Sequence, residues 1–407
     1  MVKQTICLNM IVKNESHIIA DTLRKLCDKI KFDYWVICDT GSTDNTIEVI
    51  RNFFKNENIA GEIFMNQWKD FAYNRTKALK NAYNKTDYLF LFDADDEIIG
   101  NFVMPQPLIY DEYRFQFGKE DNYNWFSRSL LINNRKRWKF VGVLHEFLVP
   151  CNFNSTIFFI DGNYCVNFSS GIGGRSININ IIDKYLKDAK ILEKAYYDAL
   201  EKNDDIYCRY AFYCANSYVE CNRNDLAIEW YLKRLSHSGG FQQELYVSCL
   251  RLYECYTELG MMEIAYSYCV KSLDYDNERV EGLYHLIHYY FLRNDDENAY
   301  QYYLSIKNFI ENKYLTLPYQ DKLFINTYVL DFYLPYIMIT VAHKTKHYDT
   351  VVKMYSIIFH KKVRGIDKIC IDNLIENLRF FIDNSLIKIT DEFMKLFQEY
   401  KIFLVEN

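Results

Sequence analysis

Four carboxylates fall within five positions at Asp93-Ala94-Asp95-Asp96-Glu97, directly after the apolar run Tyr88 to Phe92. Like charges this close repel one another unless a cation or solvent neutralises them. Oxygen-only ligands suit Mg²⁺ or Mn²⁺, which keep part of their water and also bind substrate phosphates. An ordinary acidic turn is the alternative, and the motif alone leaves both open. A second polar cluster, Cys38 to Thr46 (CDTGSTDNT), again follows an apolar run. Gly41 permits a tight turn, and Ser42 or Thr43 can cap a helix. Asp39, at the end of its run, could accept hydrogen bonds from a ribose or a base. Thr43 and Asp44 read as capping residues.

Both clusters need a scaffold that sets them side by side. From residue 1 to about 100, short strand-like runs alternate with helix-length amphipathic stretches. Strands are expected at Thr5 to Val12, Tyr34 to Asp39, Gly61 to Met65 and Tyr88 to Phe92, with helices at His17 to Cys27, Thr46 to Phe54 and Phe71 to Ala82. Such alternation predicts a mostly parallel sheet covered by helices, with ligands bound beyond the carboxyl ends of the strands. Both acidic clusters lie at such ends. The runs RFQF, SLLI and VGVLHEFLV, and two more between Thr156 and Phe168, are expected to complete the sheet. Strand signals then stop at the Gly/Ser-rich stretch Ser169 to Ser176, where a boundary is expected. The division is thus 1–175 for an α/β domain and 176–407 for a helical one.

The helical part carries an internal period. Ala227, Ala265 and Ala299 are spaced 38 and then 34 residues apart. An aromatic stands nine residues before each, at Tyr218, Tyr256 and Tyr290, and Tyr231, Cys269 and Tyr303 stand four residues after. A 34-residue period is the length of a tetratricopeptide repeat, in which small residues let paired helices approach closely. Repeats are expected over about 205–310, a degenerate unit around Tyr348 to Ile358, and capping helices beyond.

A chain of 407 residues exceeds the ~100–200 of a single domain, so two or three domains are expected. The net charge of −6, built from mixed signs, offers no footprint for nucleic acid. Twelve cysteines without a C-x-x-C pair read as reduced core residues. The first run, TICLNMIV, is too short for a signal peptide's apolar region or a membrane span. A soluble cytoplasmic protein is the expectation. Abundant Lys, Asn, Ile, Tyr and Phe point to AT-rich coding.

The ordered set NMIVKNE, ICDTGSTDNT, WKDFAYNRTKAL, YLFLFDADDE and RWKFVGVLHEFL resembles family-2 glycosyltransferases, which have the GT-A fold, in the branch that carries C-terminal tetratricopeptide repeats. The stretch RYAFYCANSYVECNRNDLAIEWYLKRLSHSGGFQQELY is similar to the first repeat of that branch, so the resemblance extends over roughly residues 1–310. It implies that Asp39 holds the uridine part of a donor and that Arg75 lies near its diphosphate. Asp93 and Asp95 take the places of the D-x-D carboxylates, with Asp95 ligating the metal directly and Asp93 serving ribose or metal. His145 and Glu146 match a His-Glu pair following the segment Trp138 to Gly142. An imidazole there can complete a metal's ligand set, and Glu146 can act as general base. Two positions depart from the pattern. Thr76 stands where the family commonly has Asn, and Asn167 where related chains often have a histidine; Asn167 cannot titrate.

The implied activity is metal-dependent, inverting transfer of a hexose from a UDP-sugar to a hydroxyl of a protein or glycan, with Asp96 or Glu97 as alternative base. Mn²⁺ or Mg²⁺ is the implied cofactor. The repeats would hold the acceptor, or else buttress the catalytic domain or join two copies into a homodimer. Two other readings stay open: a repeat scaffold with an inactive transferase domain, and a nucleotidyltransferase. The second usually needs a Gly-rich phosphate loop near the start, and NMIVKNESH has no glycine.

Overall fold

The structure is a computed structural model that describes residues 4–119, 122–168, 173–174, 180–313 and 322–406. Its first part alternates as expected: β1 (Ile6–Val12), α1 (Ile19–Lys29), β2 (Tyr34–Asp39), α2 (Thr46–Asn56), β3 (Gly61–Met65), α3 (Phe71–Ala82) and β4 (Tyr88–Leu91). Asp70 caps α3, its side chain accepting from the Tyr73 amide at 2.7 Å. Then follow β5 (Asp96–Gly100), β6 (Glu112–Lys119), β7 (Asn122–Asn133), β8 (Trp138–Val141), β9 (Phe147–Pro150), β10 (Ile157–Phe159) and β11 (Tyr164–Phe168).

The sheet runs β3-β2-β1-β4-β7-β6-β11-β5, with β10 beside β6. β3, β2, β1 and β4 are parallel; β7 is antiparallel to β4 and β6, and β5 is antiparallel to β11. Helices cover both faces, which is why the central strands read as near-continuous apolar runs. Leu8, Met10, Ile37 and Phe90 pack with Leu23 and Leu26 of α1 and Ile50 of α2. On the other face Cys7, Val36, Leu89 and Leu91 pack with Leu79 and Ala82 of α3 and with Trp138 and Phe140. Asn9, the polar interruption in β1, is buried, and its Nδ2 donates to the carbonyls of Val36 (3.0 Å) and Ala78 (3.3 Å). Placed between a strand and α3, it is satisfied on both sides.

Two expectations are corrected. The run VGVLHEFLV is not one strand. β8 and β9 form a separate two-stranded hairpin, broken over residues 142–146 by Gly142 at φ +110° and His145 at φ +51°. The acidic cluster is not all loop either, because Asp96 and Glu97 open β5 and pair with Phe168 and Asn167.

Helices follow from Ile181: α4 (Ile181–Glu201), α5 (Tyr207–Val219), α6 (Asn224–Leu235), α7 (Gln242–Glu258), α8 (Met262–Ser272), α9 (Glu281–Leu292), α10 (Asp296–Asn308), α11 (Leu334–Lys344), α12 (Tyr348–Lys361), α13 (Lys368–Asp383) and α14 (Asp391–Glu406), with π-helical turns at Phe309–Lys313 and Val329–Tyr333. The stretch 169–176, where a boundary is expected, lies outside the described residues except for Gly173 and Gly174. Compactness groups the sheet with α4–α6 in one unit and α7–α14 in a second. All twelve cysteines are free thiols, most of them buried. Among the described residues no helix is long and apolar enough to cross a membrane.

Candidate active site

At the carboxyl ends of β1 and β2 two loops brace each other. The Asn14 amide donates to Ser42 Oγ (2.9 Å), the Glu15 amide to Thr46 Oγ1 (2.8 Å), and the Thr43 amide to Asn14 Oδ1 (2.7 Å). Asp44 accepts from Thr46 and from the Ser16 amide, and these bonds outweigh its desolvation to hold its carboxyl down at about 2. The residues read as caps therefore knit the loops together.

Asp39 sits inside this frame, fully buried at the end of β2. Its Oδ1 accepts from the amides of Gly41 (2.8 Å) and Ser42 (2.9 Å), while its Oδ2 is buried with no hydrogen-bond partner among the described residues. Gly41, at φ +108°, makes the turn that brings both amides back to one oxygen.

The end of β4 holds the second cluster. Asp93 Oδ1 accepts from Arg75 Nη2 at 2.6 Å and Oδ2 from Arg128 Nη1 at 3.2 Å. Burial pushes this carboxyl up, but the two guanidiniums overcome it and hold Asp93 at about 2. Arg128, on β7, was not singled out from the sequence, since only the β4–β7 pairing brings it here. Asp95 and Asp96 are raised, by burial first and then by the Asp93 charge; Asp96 stands well above the usual carboxylate range. Asp96 Oδ2 is buried without a partner among the described residues. Glu97 points elsewhere, to Lys25 of α1 at 3.1 Å.

Arg75, on α3, joins the two halves of the site. Its Nε donates to Glu146 Oε1 at 2.6 Å while Nη2 holds Asp93, and its guanidinium lies over the Phe140 ring. Glu146, mostly buried, stands in the 142–146 turn and points at α3. The ring of His145 beside it stacks on Tyr213 of α5, centroids 4.0 Å apart and planes within 10°. The structure thus brings together Arg75, Asp93 and Glu146, with Asp95 and Asp96 at the same strand end and Asp39 at the end of β2.

Gly173 and Gly174 pass close to both strand ends. A Cβ on Gly173 would meet Asp95 Oδ2 at 2.8 Å, and one on Gly174 would meet the carbonyl oxygens of Asn14 and Lys13 at 2.4 and 2.6 Å. The Gly174 amide donates to both oxygens of Glu15 at 3.0 Å. Burial raises the Glu15 carboxyl to about 7. Nothing in the sequence singles out Glu15, because its partner stands 159 residues away.

Among the described residues no three His, Cys, Asp or Glu side chains surround a common point. The carboxyls with capacity to spare are Asp95 and Asp96: burial and the Asp93 charge raise both, and Asp96 has an oxygen unsatisfied among the described residues. A divalent cation would relieve both conditions, with water and a substrate phosphate supplying the remaining oxygens. The donor set therefore fits Mg²⁺ or Mn²⁺.

Comparison with known proteins bears on the same region. The chain is 33% identical over 93 residues to the SPbeta prophage-derived glycosyltransferase SunS of Bacillus subtilis (strain 168), and equally to glycosyltransferase SunS of Bacillus phage SPbeta. Each alignment takes in 23% of this chain and 20% of the relative, so the match spans about a fifth of those proteins. Among solved structures, S. aureus TarS 1–349 in complex with UDP-GlcNAc aligns over 75% of this chain and 92% of its own, at 12% identity and a TM-score of 0.28. Mannosyltransferase PcManGT from Pyrobaculum calidifontis in complex with GDP-Man and Mn²⁺ aligns over 24% and 29%, at 19% identity and a TM-score of 0.22. Residues 7–139, from β1 into β8, match the model of Glycosyl transferase family 2, and Asp39, Arg75 and the Asp93–Glu97 cluster all lie within the matched segment.

Proposed function

We propose that the chain is a glycosyltransferase that moves a hexose from a uridine-diphosphate sugar to a hydroxyl of a protein or glycan, with inversion at the anomeric carbon. Asp39 carries the reading. One oxygen of its buried carboxylate is satisfied by two turn amides and the other by nothing among the described residues. A buried acceptor left unsatisfied costs about 1–3 kcal/mol, and the ring N–H of a uracil is the kind of donor that would remove that cost. Asp39 also stands beyond the carboxyl end of its strand, where open α/β sheets bind ligands, inside the segment matched to Glycosyl transferase family 2.

The remaining residues take roles their chemistry supports. Arg75 is a fixed cation at the strand ends, suited to a diphosphate, and bridges Asp93 and Glu146. A diphosphate that draws its guanidinium away leaves Glu146 as a carboxylate available to the acceptor. Glu146 then takes the hydroxyl proton as the acceptor oxygen bonds the anomeric carbon, and the bond from that carbon to the diphosphate breaks, releasing UDP. Asp96 is the second candidate for base, and its elevated carboxyl makes it the weaker one at neutral pH. Asp95 is the first candidate for metal ligation. Asp93 and His145 are the others, each engaged by the contacts described above. A bound Mn²⁺ or Mg²⁺ supplies charge neutralisation for the leaving diphosphate.

We read the helices as tetratricopeptide-like, in a domain following a boundary near residue 175. Ala227, Ala265 and Ala299 are each fully buried, as are Tyr231, Cys269 and Tyr303. The same positional pair stacks in two successive hairpins: Tyr256 on Tyr268 at 5.6 Å and Tyr290 on Tyr302 at 5.4 Å. Equivalent contacts at a fixed offset support a structural repeat over a chance resemblance of helices. The half-buried rings of Tyr253, Tyr266 and Tyr289 suit an acceptor peptide or sugar. A cytoplasmic location goes with the free thiols.

The test is a panel of nucleotide sugars with Mn²⁺, following nucleoside diphosphate release by wild type and by Asp95→Ala, with calorimetric donor binding alongside. Metal-dependent release from one uridine donor, lost in the variant, is the expected result. Pyrophosphate release from a nucleoside triphosphate supplied with a sugar 1-phosphate instead would mean nucleotidyl transfer. Neither turnover nor binding would leave a scaffold with an inactive domain.

A further inference from the structure

We infer that helix α5 is a clamp that holds the Glu146 loop in its working conformation, with Arg209, Tyr210 and Tyr213 as positioning residues. The inference rests on the reading of Glu146 as general base. Glu146 itself points at Arg75 on α3, but its neighbours on both sides are held by α5. Before it, the His145 ring stacks on Tyr213 and the His145 carbonyl accepts from Arg209 Nε at 2.9 Å. After it, the Phe147 ring lies under the Arg209 guanidinium, 5.0 Å away. Arg209 is in turn laid over Tyr213 at 4.7 Å. Earlier in the turn, the Val143 amide donates to the Tyr210 hydroxyl at 3.2 Å. Arg209, Tyr210 and Tyr213 stand at positions i, i+1 and i+4, so one end of a single helix makes every one of these contacts.

The loop needs such a hold. His145 is in the left-handed region at φ +51°, which non-glycine residues seldom occupy and which persists only where surrounding structure imposes it. If the stack and the carbonyl bond are lost, His145 can return to negative φ, and the peptide leading into Glu146 turns with it. A base must lie within hydrogen-bond reach of the proton it takes, so that rotation acts on the chemical step and leaves donor binding alone. Compactness agrees, since α4–α6 group with the sheet.

The experiment uses the full chain with Tyr213→Ala, Arg209→Gln, the conservative Tyr213→Phe, and Cys214→Ala as a control. Cys214 is buried on the same helix and its Sγ faces the Ala189 carbonyl of α4. With the donor found active, Tyr213→Ala and Arg209→Gln should each lower kcat by up to about 10²-fold, the scale of a small displacement at a reacting group, with donor Kd unchanged. Tyr213→Phe, which keeps the ring, should retain wild-type kcat. Cys214→Ala should lower the melting temperature without touching kcat. Hydrogen exchange at the Val143 amide reads the clamp without any turnover, and should speed up at least about tenfold in Tyr213→Ala. Unchanged exchange overturns the proposal even if no donor is ever found, and so does an unchanged kcat while Glu146→Gln is inactive. A loss in Tyr213→Phe as deep as in Tyr213→Ala overturns it too. If exchange responds as expected but Glu146→Gln keeps full activity, it is the role of Glu146 that fails.

Discussion

Buried charge is treated in opposite ways at the strand ends and among the helices. In the helical part Arg234 is fully buried, yet its guanidinium reaches the carbonyls of His237, Gly239 and Phe241. Arg279 and Glu281 form a buried pair at 2.6 Å, closed further by Gln243 and Tyr246. At the strand ends, Asp39 and Asp96 each keep one buried oxygen unpartnered among the described residues, and Asp95 and Asp96 are raised by burial and then by the Asp93 charge. Closed charges hold a fold together. Open ones destabilise it, and on the function proposed above they persist at the strand ends for the donor and its metal.

The comparison breaks most visibly if Glu146→Gln is active. The expected loss is about 10³-fold in kcat, within the range of general-base removal, with the donor still bound. Among the helices the effect should be on stability instead. Arg279→Met leaves Glu281 buried and unpaired and should cost about 3–5 kcal/mol in denaturant unfolding, whereas Arg279→Met with Glu281→Leu should recover most of it. A double variant as unstable as the single would mean the pair is not what matters there. Asp96→Asn should go the other way. Its folded carboxyl is raised, so ionisation opposes folding as pH climbs past the ordinary carboxylate range; the neutral amide should raise stability in denaturant unfolding at pH 8, while turnover falls.

Asp331 is the exception among the helices and offers the finest test. It is buried, its Oδ1 is unpartnered with Lys361 3.9 Å away, and burial lifts its carboxyl to about 7. Below about pH 4 both folded and unfolded states are protonated. Between there and pH 7 the folded state keeps a proton that the unfolded state has lost, so stability falls as pH rises and levels off above 7. Asp331→Asn should flatten that slope in melts from pH 4 to 8, raising stability at the alkaline end by on the order of 1–2 kcal/mol. An unchanged slope would place Asp331 with the closed charges.

Local signals were legible in the chain. Strand and helix periods placed β1 to β4 and α1 to α3 within a residue or two, because alternation and 3.6-residue periodicity are properties of neighbouring side chains. The carboxylates at two strand ends were visible for the same reason, and so was the spacing, 38 and then 34 residues, of the small residues that the helices bury. The split of residues 138–150 into β8, a turn and β9 was not, since an apolar run gives no notice of a left-handed His145. Nor were the second guanidinium on Asp93, the Gly174 amide on Glu15, or the grip of α5 on the turn before Glu146.

What the sequence determined by itself is therefore the order of elements and the chemistry available at their ends. Which carboxylates are paired, which are left open, and which helix steadies the candidate base were decided only by the tertiary structure. Arg75, Asp93, Arg128 and Glu146 come from four separate elements. Their ion pairs exist only once β4 lies against β7 and the β8–β9 hairpin packs on α3, and a charge separated by tens of residues from its partner leaves no mark on the residues between.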